Sequence, residues 1–124
     1  MIDFQNSVFS RLNAVQNNVF SAILAPILVR EEEIIASFQG IRDGVVFTNL
    51  RIISINIQGL TGKKKDLTSM PYSKIQVFSV ETAGTLDADS ELEVWFSGVG
   101  KVKFEFTRNT NINAIGRIIS EQVL

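Results

Sequence analysis

The sequence predicts a mainly β domain with flanking helices: about seven short antiparallel strands, bent into an open barrel, with one helix before them and one after. Three observations lead there. Apolar and polar residues alternate singly over Arg51–Ile57, Glu91–Phe96 and Lys101–Phe106, the period of strands that bury one face. Glycine-bearing segments punctuate the runs, notably Gly59-Leu60-Thr61-Gly62 and Gly98-Val99-Gly100, where positive φ comes without a Cβ penalty. At both ends of the chain the apolar spacing changes to three and four, the period of a helix face.

Residues 3–25 read as the first helix. Phe4, Val8, Leu12, Val15, Val19 and Ile23 share a face, Phe9, Phe20 and Leu24 widen it, and Pro26 stops it. The strands follow. Ile34–Phe38 is a short apolar run ended by Gly40, and Val45–Thr48 turns at Asn49. Arg51–Ile57 alternates, Lys65–Met70 is a weak candidate, and Lys74–Ala83 changes phase between Val77 and Phe78, as at a bulge. The runs ending at Phe96 and Phe106 form a hairpin across Gly98. The closing helix is capped at Thr110 or Asn111 and carries the stripe Ile112, Ile115, Ile119 and Val123, with Ile118 beside it. No spacing asks for a βαβ crossover, so this helix covers an end that the strands leave open.

The chain has 124 residues and fits one core. It has no cysteine and no histidine. Disulfides, thiolate metal sites and the commonest general base are thereby excluded, and neither catalysis, a metal nor a cofactor is expected. Twelve basic and thirteen acidic residues balance to −1, which gives no field to draw in nucleic acid. The N-terminus has Asp3 where a signal peptide has basic residues, and Ala22–Val29 is too short to span a membrane. The expected location is the cytoplasm.

Several motifs test specific chemistries. A Walker A loop ending at Gly62-Lys63 needs glycine at position 57 and Ser or Thr after the lysine; the chain has Ile57 and Lys64. Asp87, Asp89 and Glu91 imitate the first three EF-hand ligands, but Leu92 and Gly98 stand where that loop needs Gly and Glu. Both segments read as turns. Lys63, Lys64 and Lys65, with Arg51, form the candidate anion or lipid contact. Three lysines add roughly 1 kcal/mol each at an anionic surface, so membrane contact is expected to be weak or absent. Trp95 shares a strand face with Glu93 and Ser97; pairing Ser97 with Lys101 sets it opposite Lys103. With Phe4, Val8 and Leu12 of the first helix, Trp95 is the candidate subunit interface.

Arg42-Asp43, Val46-Phe47-Thr48, Arg51-Ile52-Ile53 and Gln58–Lys64 resemble, in order, the bacterial pleckstrin-homology (PH) domain family. Pro71-Tyr72, Phe78–Gly84, Asp87-Ala88-Asp89 and Glu91-Leu92 extend the likeness; Asn56 departs from it, standing where the family has Asp. The resemblance implies a PH-like split barrel, with seven strands in two near-orthogonal sheets capped by the C-terminal helix. It also implies homo-oligomers, often ring-shaped. The short loop Gln39–Asp43, with one arginine beside an aspartate, lacks the basic character of an inositol phosphate pocket. Residues 1–28 are then a helix and linker, and 29–124 the PH-like domain. The function expected is a non-enzymatic, self-associating interaction or scaffold module, with another protein as the other partner. The alternative is a peripheral anion- or lipid-binding domain using the basic turn at 63–65.

Overall fold

In the computed structural model, which describes residues 1–124, the chain forms eight strands, one sheet and one long helix. Strand β1 (Ser7–Val15) leads through a single 3-10 turn at Asn17–Val19 to a four-residue helix, α1 (Ser21–Leu24). Strands β2 (Ile34–Gln39), β3 (Asp43–Thr48), β4 (Arg51–Gln58) and β5 (Lys64–Pro71) follow. A 3-10 turn at Tyr72–Lys74 then leads to β6 (Ile75–Glu81), β7 (Ser90–Phe96), β8 (Gly100–Phe106) and the helix α2 (Ile112–Val123). The order across the sheet is β5-β4-β3-β2-β1-β8-β7-β6, antiparallel except where β1 runs parallel to β8. The expected mainly β fold with a C-terminal helical cap is present, with eight strands in place of seven.

The added strand replaces the expected N-terminal helix. Ser7–Leu12 pairs with β8, while Asn13–Val15 pairs with β2. Between Phe9 and Leu12 the register slips, three steps on β1 matching two on β8, and Arg11 takes φ 54°. An extra residue in the left-handed region is a β-bulge, and it turns the following side chains to the other face. Phe9 and Leu12, three apart, therefore both point into the core, and Phe20, at the N-cap of the real short helix, and Leu24, at its end, lie four apart. These two spacings together imitate a helical stripe. Val8 and Val19, which a continuous helix would bury, are exposed. The first 28 residues are woven into the sheet and its outer cover.

Other boundaries shift in smaller ways. Lys64–Pro71 is a full eight-residue strand paired along its length with β4. The irregularity in β6 falls between Ile75 and Val77, earlier than the phase change indicated. The hairpin pairs Phe96 with Gly100, so Trp95 faces Lys101 and Lys103 faces Glu93. A slip of two in register keeps every side chain on its face, so alternation alone cannot detect it.

Strands β3 and β4 are buried on both faces. Inside the curl, Val45, Phe47 and Ile52 join Phe9, Leu12, Phe38, Phe104 and Phe106, with α2 closing the end through Ile112, Ile115 and Ile119. The Asn111 side chain caps α2, accepting from Ala114 N–H at 3.1 Å. Outside the curl, Val46, Ile53 and Ile55 are covered by Phe20 and Leu24. The ring of Phe20 lies directly over Gly44, where an added Cβ would meet Phe20 Cζ at 2.5 Å.

That contact yields a double-mutant cycle. Gly44→Ala is expected to cost about 1–3 kcal/mol by overpacking, and Phe20→Ala about 3–5 kcal/mol as a large-to-small core change. In the double variant the Gly44 penalty should largely vanish, because the ring it strikes is gone. Urea denaturation of the four proteins measures this; full additivity would contradict the packing described.

Candidate interaction surfaces

The outward face of β6, β7 and β8 carries no helix and no loop cover. Its cross-strand rows follow from the register: Val77–Trp95–Lys101, Ser79–Glu93–Lys103 and Glu81–Glu91–Glu105. Trp95 is 45% exposed and its neighbour Val77 59%. Two diagonal ion pairs, Lys101–Glu93 and Lys103–Glu91, each at 3.7 Å, cross the same face; exposed pairs of this kind add little stability. In the acidic row, burial and then the neighbouring Glu81 and Glu105 raise the Glu91 carboxyl, against the pull of Lys103. Beyond β6 the sheet ends. None of the backbone hydrogen bonds made outside the ladders and helices involves residues 76–81.

The expected interface residues on the N-terminal segment part company. Val8 is exposed beside Lys103. Phe4 is half-buried, its ring edge-on to Phe96 at 5.8 Å and its carbonyl accepting from Lys101 N–H at 2.8 Å. Leu12 is wholly buried among Phe9, Phe38 and Phe106. It belongs to this chain's own core and offers nothing to a neighbouring subunit, because the bulge at Arg11 turns it inward.

Arg51 is engaged as well. Its Nε and Nη2 donate to Glu32 Oε2 and Oε1, both at 2.9 Å. Nη2 also donates to Ile27 O at 2.8 Å, and Nη1 to Ser69 Oγ at 2.9 Å. Glu32 further accepts from Thr48 Oγ1 at 2.7 Å and Val29 N–H at 3.1 Å. Nearby, the buried Tyr72 hydroxyl donates to Thr48 O at 2.7 Å. This bidentate pair fastens the segment after α1 to the β3–β4 corner. All three guanidinium nitrogens of Arg51 thus donate within the protein, through four of its five N–H groups, so it does not stand free beside the lysines as an anion contact, which corrects its expected role. Burial opposes the charged form of Glu32, but the hydrogen bonds from Arg51, Thr48 and Val29, with the Arg51 charge, hold its carboxyl below the ordinary value. Burial and then the Glu32 charge push the Tyr72 phenol up beyond its ordinary range.

The lysines lie elsewhere. Lys63 closes the β4–β5 turn, and Lys64 and Lys65 open β5, all three exposed. Gly59 and Gly62 hold φ 79° and 68°, which shape that turn. No lysine of the three pairs with a carboxylate; Lys65 Nζ donates to Gly62 O at 3.3 Å.

The largest cleft, roughly 640 Å³, opens where the sheet fails to close. Phe4, Met70, Ile75, Phe96 and Val99 line it with serines and Lys74. It gathers no pair of titratable groups within reach of each other. No group of three or more Asp or Glu side chains is placed to hold a metal ion. In the Asp87 loop the carboxylate accepts from Asp89 N–H at 3.0 Å, as an Asx turn. No helix is long and apolar enough to cross a membrane.

The sequence matches the family described as bacterial PH domain over residues 3–123. The Bacillus subtilis protein YjqA is 43% identical over 99 residues, which span 78% of this chain and 79% of its own length. A Shewanella loihica protein with a pleckstrin-homology domain superposes with a TM-score of 0.78 at 38% identity, covering 93% of this chain and 99% of the other. A pleckstrin-homology domain from Shewanella amazonensis does so with a TM-score of 0.65 at 41% identity, over 89% and 90%.

The Glu32–Arg51 pair gives a test with a defined sign. Glu32→Gln should lower stability by about 3 kcal/mol at pH 7, the low end for breaking a buried pair, because Arg51 keeps some access to water. A carboxyl lowered in the folded state stabilises above its unfolded pKa of about 4.3 and ceases to as pH falls through its folded value. The gap between parent and variant should therefore be constant near neutrality and close below about pH 4. Chemical denaturation across pH measures it; a gap that persists in acid would contradict the pairing.

Proposed function

The chain belongs to the bacterial PH domain family, and we propose that it acts as a non-enzymatic, self-associating interaction module in the cytoplasm. The observation that supports this most is the uncovered face around Trp95 and Val77, next to the open edge of β6. A tryptophan and a valine side by side on a bare sheet are the kind of apolar surface that is usually covered by a partner. An unpaired strand edge offers backbone donors and acceptors for a further strand. The face carries acidic and basic residues in adjacent rows, which orient a charged surface laid against it.

The occupant we propose is another copy of this chain. A closed ring, as the family resemblance implies, needs a head-to-tail contact in which the β6 edge and Trp95 face of one subunit meet a different surface of the next. Val8, exposed beyond Lys103 on the same face, lies within reach of such a contact. The lack of histidine and cysteine, and the engagement of Arg51, Glu32 and Tyr72 in one structural network, fit a role in presenting surfaces rather than in chemistry.

Light scattering coupled to size exclusion tests the proposal. The parent should run at a multiple of 13.8 kDa. Trp95→Lys, which places a charge at the centre of the contact, should weaken association by about thirty-fold or more, as loss of a hot spot does, with the thermal melt of the fold retained. A parent that runs at the mass of one chain would overturn it.

A further inference from the structure

The cleft at the β5–β6 corner combines an apolar floor with a rim of free donors. Its volume, roughly 640 Å³, lies within the range of ligand pockets. Met70, Ile75 and Phe96 form the floor and belong to the buried core. The Phe4 ring, edge-on to Phe96, stands as one wall. That wall is held at both ends. A Cβ built on Gly100 would strike the Phe4 carbonyl, so glycine there lets Phe4 O reach Lys101 N–H. On the other side Ile2 N–H donates to Thr68 Oγ1 at 3.3 Å. The rim differs in kind. Ser69 Oγ accepts from Arg51, but Ser73, Lys74, Gln76 and Ser97 are exposed and their side chains bond to nothing else in the protein. Each of these four carries an N–H or O–H donor. Lys74 forms no ion pair, and no Asp or Glu lines the cleft. Gln76 is also the extra residue of the β6 irregularity, two steps on β6 matching one on β7, and has no partner across the ladder.

We propose that this cleft takes the C-terminal end of a partner protein whose last residue is aromatic. The last side chain rests on Met70 and Phe96 beside the Phe4 ring, where aromatic and thioether neighbours favour another ring. The terminal carboxylate meets Lys74 and the free serine hydroxyls, and the amide before it meets Gln76. Charge selects this occupant. A rim made only of donors, with one cation and no acid, suits a group that is all acceptor and carries a single negative charge. An inorganic anion would leave the floor wet, and a wholly apolar ligand would leave the donors uncovered. The cleft opens to solvent where the sheet fails to close, so the rest of the partner's chain can lead away from it. Trp95, Val77 and Val8 do not line the cleft, so the site lies apart from the contact proposed between copies.

Fluorescence anisotropy with the full chain tests this. The probe is a labelled hexapeptide, neutral but for a free carboxylate on its last residue, phenylalanine. The parent should bind it about ten-fold or more tightly than the same peptide amidated, as when a hydrogen bond to a charged group is lost. Lys74→Gln should weaken the free-acid peptide by about ten-fold and leave the amidated one unchanged, because both changes remove the same contact. Val99→Asp, which sets a carboxylate at the mouth, should weaken the free-acid peptide by about ten-fold through like-charge repulsion. Lys74 and Val99 are exposed, so melting temperatures should match the parent and any loss is one of binding. N-acetylphenylalanine, which lacks the preceding residues, should bind more weakly than the hexapeptide. Absence of saturable binding, equal affinity for the two peptides, additive losses from amidation and Lys74→Gln, or N-acetylphenylalanine binding as tightly as the hexapeptide would each overturn the proposal. Solution mass is a separate readout, so failure here leaves the self-association reading to stand or fall by itself.

Discussion

Every part of this fold depends on one strand serving two partners. A sheet curled around a core either closes or leaves gaps between its halves, and a gap exposes unpaired backbone groups. Here β1 fills the place between β2 and β8, giving its first half to one and its second half to the other. The bulge at Arg11 makes the change of partner possible, because it bends the strand and sets Leu12 into the core beside Phe9. An arginine in the left-handed region is strained by about 1–2 kcal/mol. Joining the two halves of the sheet outweighs that strain.

The chain leaving β1 does a second task. It passes over the outer face of β3 and β4, where Phe20 and Leu24 cover Val46, Ile53 and Ile55. Glycine at position 44 lets the Phe20 ring approach the strand closely. The Glu32–Arg51 pair, with Thr48 supporting it, then fixes where the crossing ends and β2 begins. Two apolar layers and one buried ion pair therefore hold the strands from both sides. What the sheet leaves uncovered is the β6 edge, the bare face around Trp95, and the two turns that carry Ile41 and Leu60.

Much of this was legible in the residues. Alternation located β4, β7 and β8, and the C-terminal stripe of Ile112, Ile115 and Ile119 gave the helix and its buried face. Strand β1 was not legible. A bulge adds one residue to a period of two, and the resulting spacing of three is also a spacing of helices. No neighbouring turn residue marks the change, since the bulged position is Arg11 and not glycine. The engagement of Arg51 was hidden for a different reason: Glu32 lies nineteen positions away and meets it only through the fold.

The family supplies a scaffold, and what this chain presents on it is a matter of surfaces. The proposed self-association uses an apolar sheet face beside an open strand edge. That contact requires the two halves of the sheet to hold one fixed arrangement, which rests on β1. Native-state hydrogen exchange of the β1 amides and of the Thr107 amide, which donates to Leu12 O at 3.0 Å, tests that directly. If β1 unites the two halves of the sheet, these amides exchange only through global unfolding, with the same free energy and denaturant dependence as those of β3 and β4. Exchange through a low-energy opening, insensitive to denaturant, would mean that β1 is a detachable arm and that the two halves of the sheet hold together without it.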